Sequence, residues 1–262
     1  MINRIVLIPD IHYPHHNKEA VSAVFQFVKW FKPHGACLTG DAMNMDAVNH
    51  WMREKGNKKF FEKKRLQSEY DGFDNEILTP LEKSLPRDCE KIFLGGNHED
   101  WINIVIGKDP QFTEGMIEPE IKLRLKERNW EWIPYIKNNK RGTKKYGKLD
   151  VFHGQYTNKY HAAKTADTRS RSCAYCHTHD IQLYTKVFAD DQKDFHTAQS
   201  IGCLCNLSPE FLKGRINRWV NAFGVLYLRE DGIYNLYVPV IINGKFTFAG
   251  KTFGASTNET SI

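Results

Sequence analysis

The 262-residue sequence lacks any apolar run of the eighteen or so residues that a membrane-spanning helix needs. We also expect no removable leader, because the first apolar run, Ile5 to Pro9, leads directly into polar residues and has the pattern of a core strand. It shows neither an internal repeat nor a linker. We therefore expect a cytoplasmic protein with no membrane partner, one domain over residues 1–253 and a flexible tail over residues 254–262.

Cysteine is sparse, with six residues that should be thiols in a reducing compartment. Cys173-x-x-Cys176 has a spacing typical of zinc sites, and Cys203-x-Cys205 fits such a site less well. Two interpretations stay open. The four thiols form one structural zinc site, or they are small apolar side chains on buried strands.

Acidic residues are fewer than basic ones, 31 against 37, which gives a formal net charge of +6 and a pI near 8.9. Basic residues cluster in two runs, Arg53 to Arg65 and Lys137 to Lys148. Such runs favour anionic partners, including the phosphates of nucleic acids. The alternative is a solvated helix face and a flexible loop, and the many acidic residues argue against a chain dedicated to nucleic-acid binding. The sequence gives no indication of oligomeric state.

Five short polar motifs supply carboxylate, amide and imidazole groups, which are the ligand types that divalent transition metals take. Four of the five directly follow an apolar, strand-like run. In open α/β sheets, ligands bind at the carboxyl ends of the strands. The motifs are Asp10-Ile11-His12, Gly40-Asp41, Gly96-Asn97-His98-Glu99, His153-Gly154 and His177-Thr178-His179.

Each motif alone has an ordinary explanation: Asp10 and Asp41 could cap helices, and His153 could be a hydrogen-bonded core histidine. Taken together, seven candidate ligands exceed the needs of one catalytic ion with an open position and suit two ions that share a carboxylate. In an extended segment, D-x-H and H-x-H would place both of their outer side chains on one side. The seven candidates are Asp10, His12, Asp41, Asn97, His153, His177 and His179.

In this order the motifs resemble those of the calcineurin-like metallophosphoesterases, D-x-H, G-D, G-N-H-[DE], H and G-H-x-H. The resemblance runs from Asp10 to His179, about two thirds of the chain. It implies an α/β fold, a four-layer α/β/β/α sandwich of two mixed sheets flanked by helices. It also divides the ligands into two sets joined by a bridging carboxylate. Asp10, His12 and His179 would hold the first ion, Asn97, His153 and His177 the second, and Asp41 both.

The same resemblance gives roles to two further residues and shows one departure. His98 would contact the phosphate and protonate the leaving oxygen. Glu99 would orient His98 or a neighbouring ligand. Cys176 stands where the family usually has glycine before H-x-H, so we expect a modest local adjustment of the backbone there.

The resemblance implies a dinuclear metal-dependent phosphoester hydrolase in which a metal-bridging hydroxide attacks phosphorus in line. The ligand types favour manganese, with iron or zinc as alternatives. The protein-phosphatase branch of the family follows its G-D with x-V-D-R-G, whereas here Gly40-Asp41 continues Ala42-Met43-Asn44-Met45. The missing arginine and the basic runs favour phosphodiesters, possible substrates being nucleic acids or nucleotides. The alternatives are a phosphomonoesterase for small molecules or phosphoproteins, and a non-catalytic metal-binding scaffold.

Periodicity predicts strands and helices that alternate early in the chain, then mostly strands. A helix is expected after the cap residue Asn17, a long one over Phe60 to Leu85 and another over Glu120 to Arg128. His161 falls in a predicted helix and receives no role. Segment 107–148 is expected to cover the metals and select the substrate. Predicted strands are Ile5 to Pro9, Ala36 to Thr39, Lys91 to Leu94, Leu149 to Phe152, Ile181 to Phe188, Thr197 to Ile201, Gly224 to Arg229, Ile233 to Val240 and Lys245 to Phe248.

Overall fold

The computed structural model describes residues 2–188 and 191–254, and strands predominate in its second half. The strands are β1 (Ile2–Ile8), β2 (Gly35–Leu38), β3 (Glu90–Leu94), β4 (Trp130–Ile133), β5 (Ile136–Lys137), β6 (Lys140–Arg141), β7 (Thr143–Tyr146), β8 (Leu149–Phe152), β9 (Ser172–Tyr175), β10 (Leu183–Phe188), β11 (Asp191–Ser200), β12 (Gly224–Arg229), β13 (Tyr234–Tyr237), β14 (Phe246–Phe248) and β15 (Lys251–Phe253).

The helices lie mainly in the first half. They are α1 (Lys18–Phe31), α2 (His50–Glu54), α3 (Leu66–Phe73), α4 (Thr79–Ser84), α5 (Asn97–Lys108), α6 (Pro110–Thr113), α7 (Pro119–Lys122) and α8 (His161–Thr168). The predicted cap of α1 is confirmed, since the side chain of Asn17 accepts a hydrogen bond from the backbone N–H of Ala20.

Two mixed sheets hold most of the strands. The first has the order β13-β12-β1-β2-β3-β4, in which β1 to β4 are parallel neighbours and β12 and β13 are antiparallel. The second has the order β10-β11-β9-β8-β7, with β11, β9 and β8 parallel. Two small hairpins, β5-β6 and β14-β15, stand apart.

Alternation along the strands explains why the two sheets pack on each other. In β1, Ile5 and Leu7 belong to the apolar cluster that also contains Leu149 and Val151 of β8, so this cluster lies between the sheets. Val6 and Ile8 point to the opposite face and pack in a cluster with α1. Since side chains alternate between the faces of a strand, one apolar run can serve both layers.

The second sheet is covered on its outer face by α8. Ala166 of this helix packs with Phe152, Cys173, Tyr175 and Ala198 in a third apolar cluster. Helices on the first sheet, the two sheets, and α8 on the second sheet make four layers. The predicted α/β/β/α sandwich of two mixed sheets is confirmed.

Two predicted helices are wrong in extent. The long helix does not begin at Phe60. Instead, Lys58–Phe61 is a single tight turn, and the helix runs from Leu66 to Ser84 with a wider π turn over Asp74–Leu78. The predicted helix over Glu120 to Arg128 is reduced to α7, because its C-cap Leu123 is followed by Arg124 with a positive φ of 51°.

The four-thiolate zinc interpretation is not supported in the described residues. Cys173 belongs to the outer cluster of the second sheet and Cys176 to the cluster between the sheets. Their odd spacing on a strand-like segment sends the two side chains to opposite faces. All six cysteines are free and buried.

Other predictions have mixed outcomes. Within the described residues, no helix is long and apolar enough to cross a membrane. Segment 107–148 contributes β4 and β7 to sheet edges, so it is in part framework. The tail predicted from residue 254 lies, beyond Gly254, outside the described residues. The single-domain boundary at residue 253 stays a prediction.

Candidate metal centre

The five polar motifs meet where the two sheets face each other. Three of them follow β1, β2 and β3, which are adjacent and parallel in the first sheet. The other two follow β8 and β9, which are adjacent and parallel in the second sheet. Because carboxyl ends of parallel neighbours share one edge, residues distant in sequence converge there. All seven predicted ligands are brought to this edge.

A first group of ligand atoms contains Asp10, His12 and His179, which lie within 4.8 Å of one another. The Nε2 atoms of the two histidines are 3.1 Å apart, and the Nε2 atom of His179 is 3.8 Å from Asp10 Oδ2. The three side chains are buried. This is the set that the family resemblance implies for the first ion.

A second group contains Asp41, His153 and His177, also within 4.8 Å of one another. His153 Nε2 lies 3.2 Å from Asp41 Oδ2 and 3.0 Å from the amide oxygen of Asn97. Asp41 Oδ2 is also 3.7 Å from His12 Nε2. Asp41 therefore reaches both groups, as a bridging carboxylate must. Ligation itself stays a prediction for all seven residues.

The backbone at the ligands differs from the extended segments that the sequence suggested. Asp10, His12, Asp41, His177 and His179 all have positive φ, between 40° and 74°. The left-handed region costs non-glycine residues of order 1–3 kcal/mol each and is concentrated at functional sites. Both outer residues of D-x-H and H-x-H still point into one site, but through tight turns rather than through strand alternation.

Two glycines permit the close approach of the motifs. A Cβ atom on Gly40, whose φ is 105°, would lie 2.5 Å from the Nδ1 atom of His153. A Cβ atom on Gly96 would overlap the carboxylate of Asp41. Any side chain at either position would thus displace a candidate ligand.

The donor atoms fit divalent ions. Asp10 Oδ1 is buried and has no hydrogen-bond partner within the described chain, an arrangement that a bound cation would satisfy. Burial, then the charges of neighbouring histidines, lower the pKa of His12 to about 3 and that of His177 to about 4. Neutral imidazole is the form that binds metals.

The pKa of Asp41 is also shifted towards the ligating form. Burial opposes its ionisation, but His153 and His98 outweigh this and hold the pKa of Asp41 well below its usual range. The carboxylate is therefore ionised over the physiological range.

His98 is oriented by three contacts. Its Nδ1 atom lies 2.8 Å from the backbone oxygen of Asn44 and can donate a hydrogen bond to it. The ring of Trp101 lies against it with centroids 4.0 Å apart. Its Nε2 atom is left facing the site, 3.8 Å from Asp41 Oδ2. This placement suits the phosphate contact and proton transfer predicted for His98.

Glu99 contacts the backbone around a candidate ligand. Its buried carboxylate accepts hydrogen bonds from the backbone N–H groups of Asp41, Met43 and Gly96, at 2.8–3.0 Å. It therefore orients the backbone of the ligand Asp41, one of the predicted alternatives, rather than the ring of His98. Burial and the nearby charge of Asp41 raise the pKa of Glu99 to about 7.

Cys176 takes the place of the family's glycine without distortion. It is fully buried, and φ is positive at its neighbour His177 but not at Cys176 itself. Its thiol donates to the backbone oxygen of Thr39 at 3.1 Å and lies 3.2 Å from His153 Nδ1. The side chain thus fills the space behind a candidate ligand.

Several residues around the centre were not found from the sequence. The side chain of Asn44 lies 2.9 Å from His12 Nδ1, and it donates to Asp46, which pairs with Lys64 of the first basic run. The guanidinium of Arg141, in the second basic run, stacks 4.1 Å from the ring of Tyr135, which neighbours His153. The two basic runs are visible in the sequence, but the partners of Lys64 and Arg141 depend on long-range packing.

No protein-family model and no curated protein matches this chain. Solved structures that resemble it include Vps29 of Entamoeba histolytica complexed with zinc, at 13% identity and a TM-score of 0.45, covering 93% of this chain and 96% of that one. Vps29 of Cryptosporidium parvum has 12% identity and a TM-score of 0.46, with 96% and 98% covered. A predicted phosphoesterase of Streptococcus pneumoniae has 12% identity and a TM-score of 0.39, with 96% of each chain covered.

At these identities and scores, the likenesses say nothing about metal, activity or partners. The layers and the site are therefore described from the protein itself. Two facing mixed sheets carry the D-x-H, G-D, G-N-H-E, H and H-x-H residues at the carboxyl ends of five strands, which is the arrangement that the resemblance to the calcineurin-like metallophosphoesterases implies.

Proposed function

We propose that the protein is a dinuclear metal-dependent phosphoesterase that acts on phosphodiesters, with nucleic acids or nucleotides as the substrate class. The observation that carries this proposal is the pair of ligand groups joined by Asp41, one containing Asp10 and His12, the other His153 and His177. Mixed oxygen and nitrogen donors suit manganese, and iron or zinc would also fit.

The ions, when bound, would supply positive charge to phosphoryl oxygens and lower the pKa of a water molecule. The chain's own residues would hold and orient the substrate. The Nδ1 atom of His98 contacts the backbone oxygen of Asn44, and its Nε2 atom faces Asp41. A protonated His98 ring can therefore donate its Nε2–H to the leaving oxygen.

Arg141, which stacks on Tyr135 beside His153, places positive charge on one side of the centre. On the His12 side, Lys64 is paired with the carboxylate of Asp46 at 2.6 Å, and that pair carries no net charge. An arginine beside the cleaved bond suits a further phosphate of a nucleic acid or nucleotide, which supports a phosphodiester substrate. The cytoplasmic location stays a prediction.

The deciding experiment is manganese-dependent hydrolysis of bis(p-nitrophenyl) phosphate beside p-nitrophenyl phosphate, with Asp41→Asn as the control. We expect a preference for the diester that is lost in the variant. A preference for the monoester would identify a phosphomonoesterase. Full metal occupancy without turnover of either ester would identify a metal-binding scaffold, and both results would overturn the proposal.

A further inference from the structure

A cleft of about 400 Å³ opens directly beside the metal centre, on the second-sheet side. One wall is the loop before α8, with Thr157, Asn158 and Lys159, and the other is the segment before β12, with Arg218 and Trp219. The floor contains the candidate ligand His177. The proposed function accounts for the ligand but for neither wall.

Apart from the candidate ligand His177, the polar side chains on the floor of the cleft have hydrogen-bond partners within the protein. His161 Nε2 is 3.0 Å from Asp180, and His161 Nδ1 is 2.7 Å from the hydroxyl of Tyr175. Thr178 donates to the other oxygen of Asp180 at 2.8 Å. Because these contacts satisfy the floor internally, recognition of a ligand falls to the two walls.

Trp219 is fixed at the boundary between the cleft and the metal centre. Its ring lies edge-to-face on His179, with centroids 4.4 Å apart. Its backbone N–H donates to the side chain of Asn217, and the following N–H, of Val220, donates to the backbone oxygen of His179 at 2.8 Å. A rigid indole beside an ion site is preorganised for stacking.

The chemistry of the walls is that of single-strand recognition, in which an aromatic ring stacks on a base and cations contact the backbone. Here Trp219 offers the ring, and Arg218 and Lys159 offer exposed cations. Protein ligand pockets measure roughly 300–1,000 Å³. A cleft of about 400 Å³ is at the small end and suits one unpaired nucleotide rather than a duplex.

We propose that this cleft binds the nucleoside next to the scissile phosphate of a single-stranded nucleic acid, with its base on Trp219 and the next phosphate on Arg218 and Lys159. The proposal rests on the proposed function for the cleaved bond and adds the substrate's class and its orientation. It makes Trp219 and Arg218 residues that determine specificity.

The kinetic test compares two diesters with one leaving group, thymidine 5′-(p-nitrophenyl phosphate) and methyl p-nitrophenyl phosphate, in the manganese-loaded protein. We expect the ratio of their kcat/KM values to fall about 5- to 100-fold in Trp219→Ala, the range measured for loss of one stacked base. Trp219→Phe should restore most of the ratio. Arg215→Ala, an exposed arginine of the same segment outside the cleft, should leave it unchanged.

A binding test separates this proposal from the catalytic one. The anisotropy of a fluorescein-labelled oligothymidylate is followed with the metal-free protein in EDTA. We expect Trp219→Ala and Arg218→Ala to weaken binding several-fold, and Arg218→Ala also to lower the salt dependence. Unchanged binding and an unchanged ratio would overturn the cleft assignment. If the wild-type protein hydrolyses neither diester, but the two variants still bind oligothymidylate more weakly than it does, only the proposed function is overturned.

Discussion

The two sheets contribute different chemistry to one centre. The first sheet supplies both carboxylates, the amide of Asn97 and the imidazoles of His12 and His98, whereas the second supplies imidazoles alone. Each ligand group combines residues of both sheets: Asp10 and His12 with His179, and Asp41 with His153 and His177. Neither of these two groups is complete on one sheet, although His12, Asp41 and His98 of the first sheet also lie within 4.8 Å of one another.

This difference indicates a division of labour. The two carboxylates, one of them the predicted bridge Asp41, and the predicted proton donor His98 all follow β1, β2 and β3, where Glu99 accepts hydrogen bonds from the backbone around Asp41. The second sheet closes each group with imidazole nitrogens and adds the cleft with Trp219. A change at Asp41 should therefore affect both ions and the chemistry, whereas a change on the second sheet should affect one ion or the choice of substrate.

The largest contrast is expected between Asp41→Asn and His177→Ala. Asp41 reaches both groups, so its substitution should remove both ions and lower kcat/KM about a thousandfold or more, since several kcal/mol of charge stabilisation is lost. His177 belongs to one group, so His177→Ala should keep about one ion. Metal content by mass spectrometry checks both, and equal losses in the two variants would contradict the division.

The next largest effect is expected for His98→Ala. A positioned proton donor contributes roughly 10²–10⁴-fold to the rate, so kcat should fall by about this factor while metal content stays at the wild-type value. The loss should be smaller for substrates whose leaving group needs no proton. Loss of metal with an unchanged rate per bound ion would show that His98 is a ligand instead.

A stability effect should follow from Glu99→Ala, because three buried N–H groups, including that of Asp41, would lose their acceptor. Each unsatisfied buried donor costs about 1–3 kcal/mol, so the free energy of unfolding should fall by roughly 3 kcal/mol or more. Chemical denaturation measures the change, with the neighbouring, partly exposed Asp100→Ala as control. Similar small losses in both variants would contradict this role.

The smallest effect is expected on the second sheet, for Cys176→Gly, which installs the family's residue. Loss of the buried thiol beside His153 and Thr39, together with the greater freedom of glycine, should lower stability by about 1–2 kcal/mol. Metal content should not change. A loss of one ion would show that the thiol is needed to orient His153.

The sequence by itself determined which residues meet. Apolar runs followed at once by polar motifs placed Asp10, Asp41 and Asn97 at strand ends, and the order of the motifs predicted the four layers. The sandwich is confirmed, while metal ligation and the activity stay predictions. The aromatic pair Phe60-Phe61 predicts the start of a helix, but the helix begins only at Leu66, because an aromatic pair does not by itself distinguish a helix from a tight turn.

The tertiary structure decided how those residues meet. It placed five ligands in left-handed turns, gave Glu99 its backbone partners and separated Cys173 from Cys176 across a sheet. It also brought Trp219 against His179, beside a cleft that no local sequence pattern predicts. The local sequence sets the spacing of apolar residues and the chemistry of the side chains in each segment. Contacts between distant segments depend on the packing of two sheets, which only the whole fold fixes.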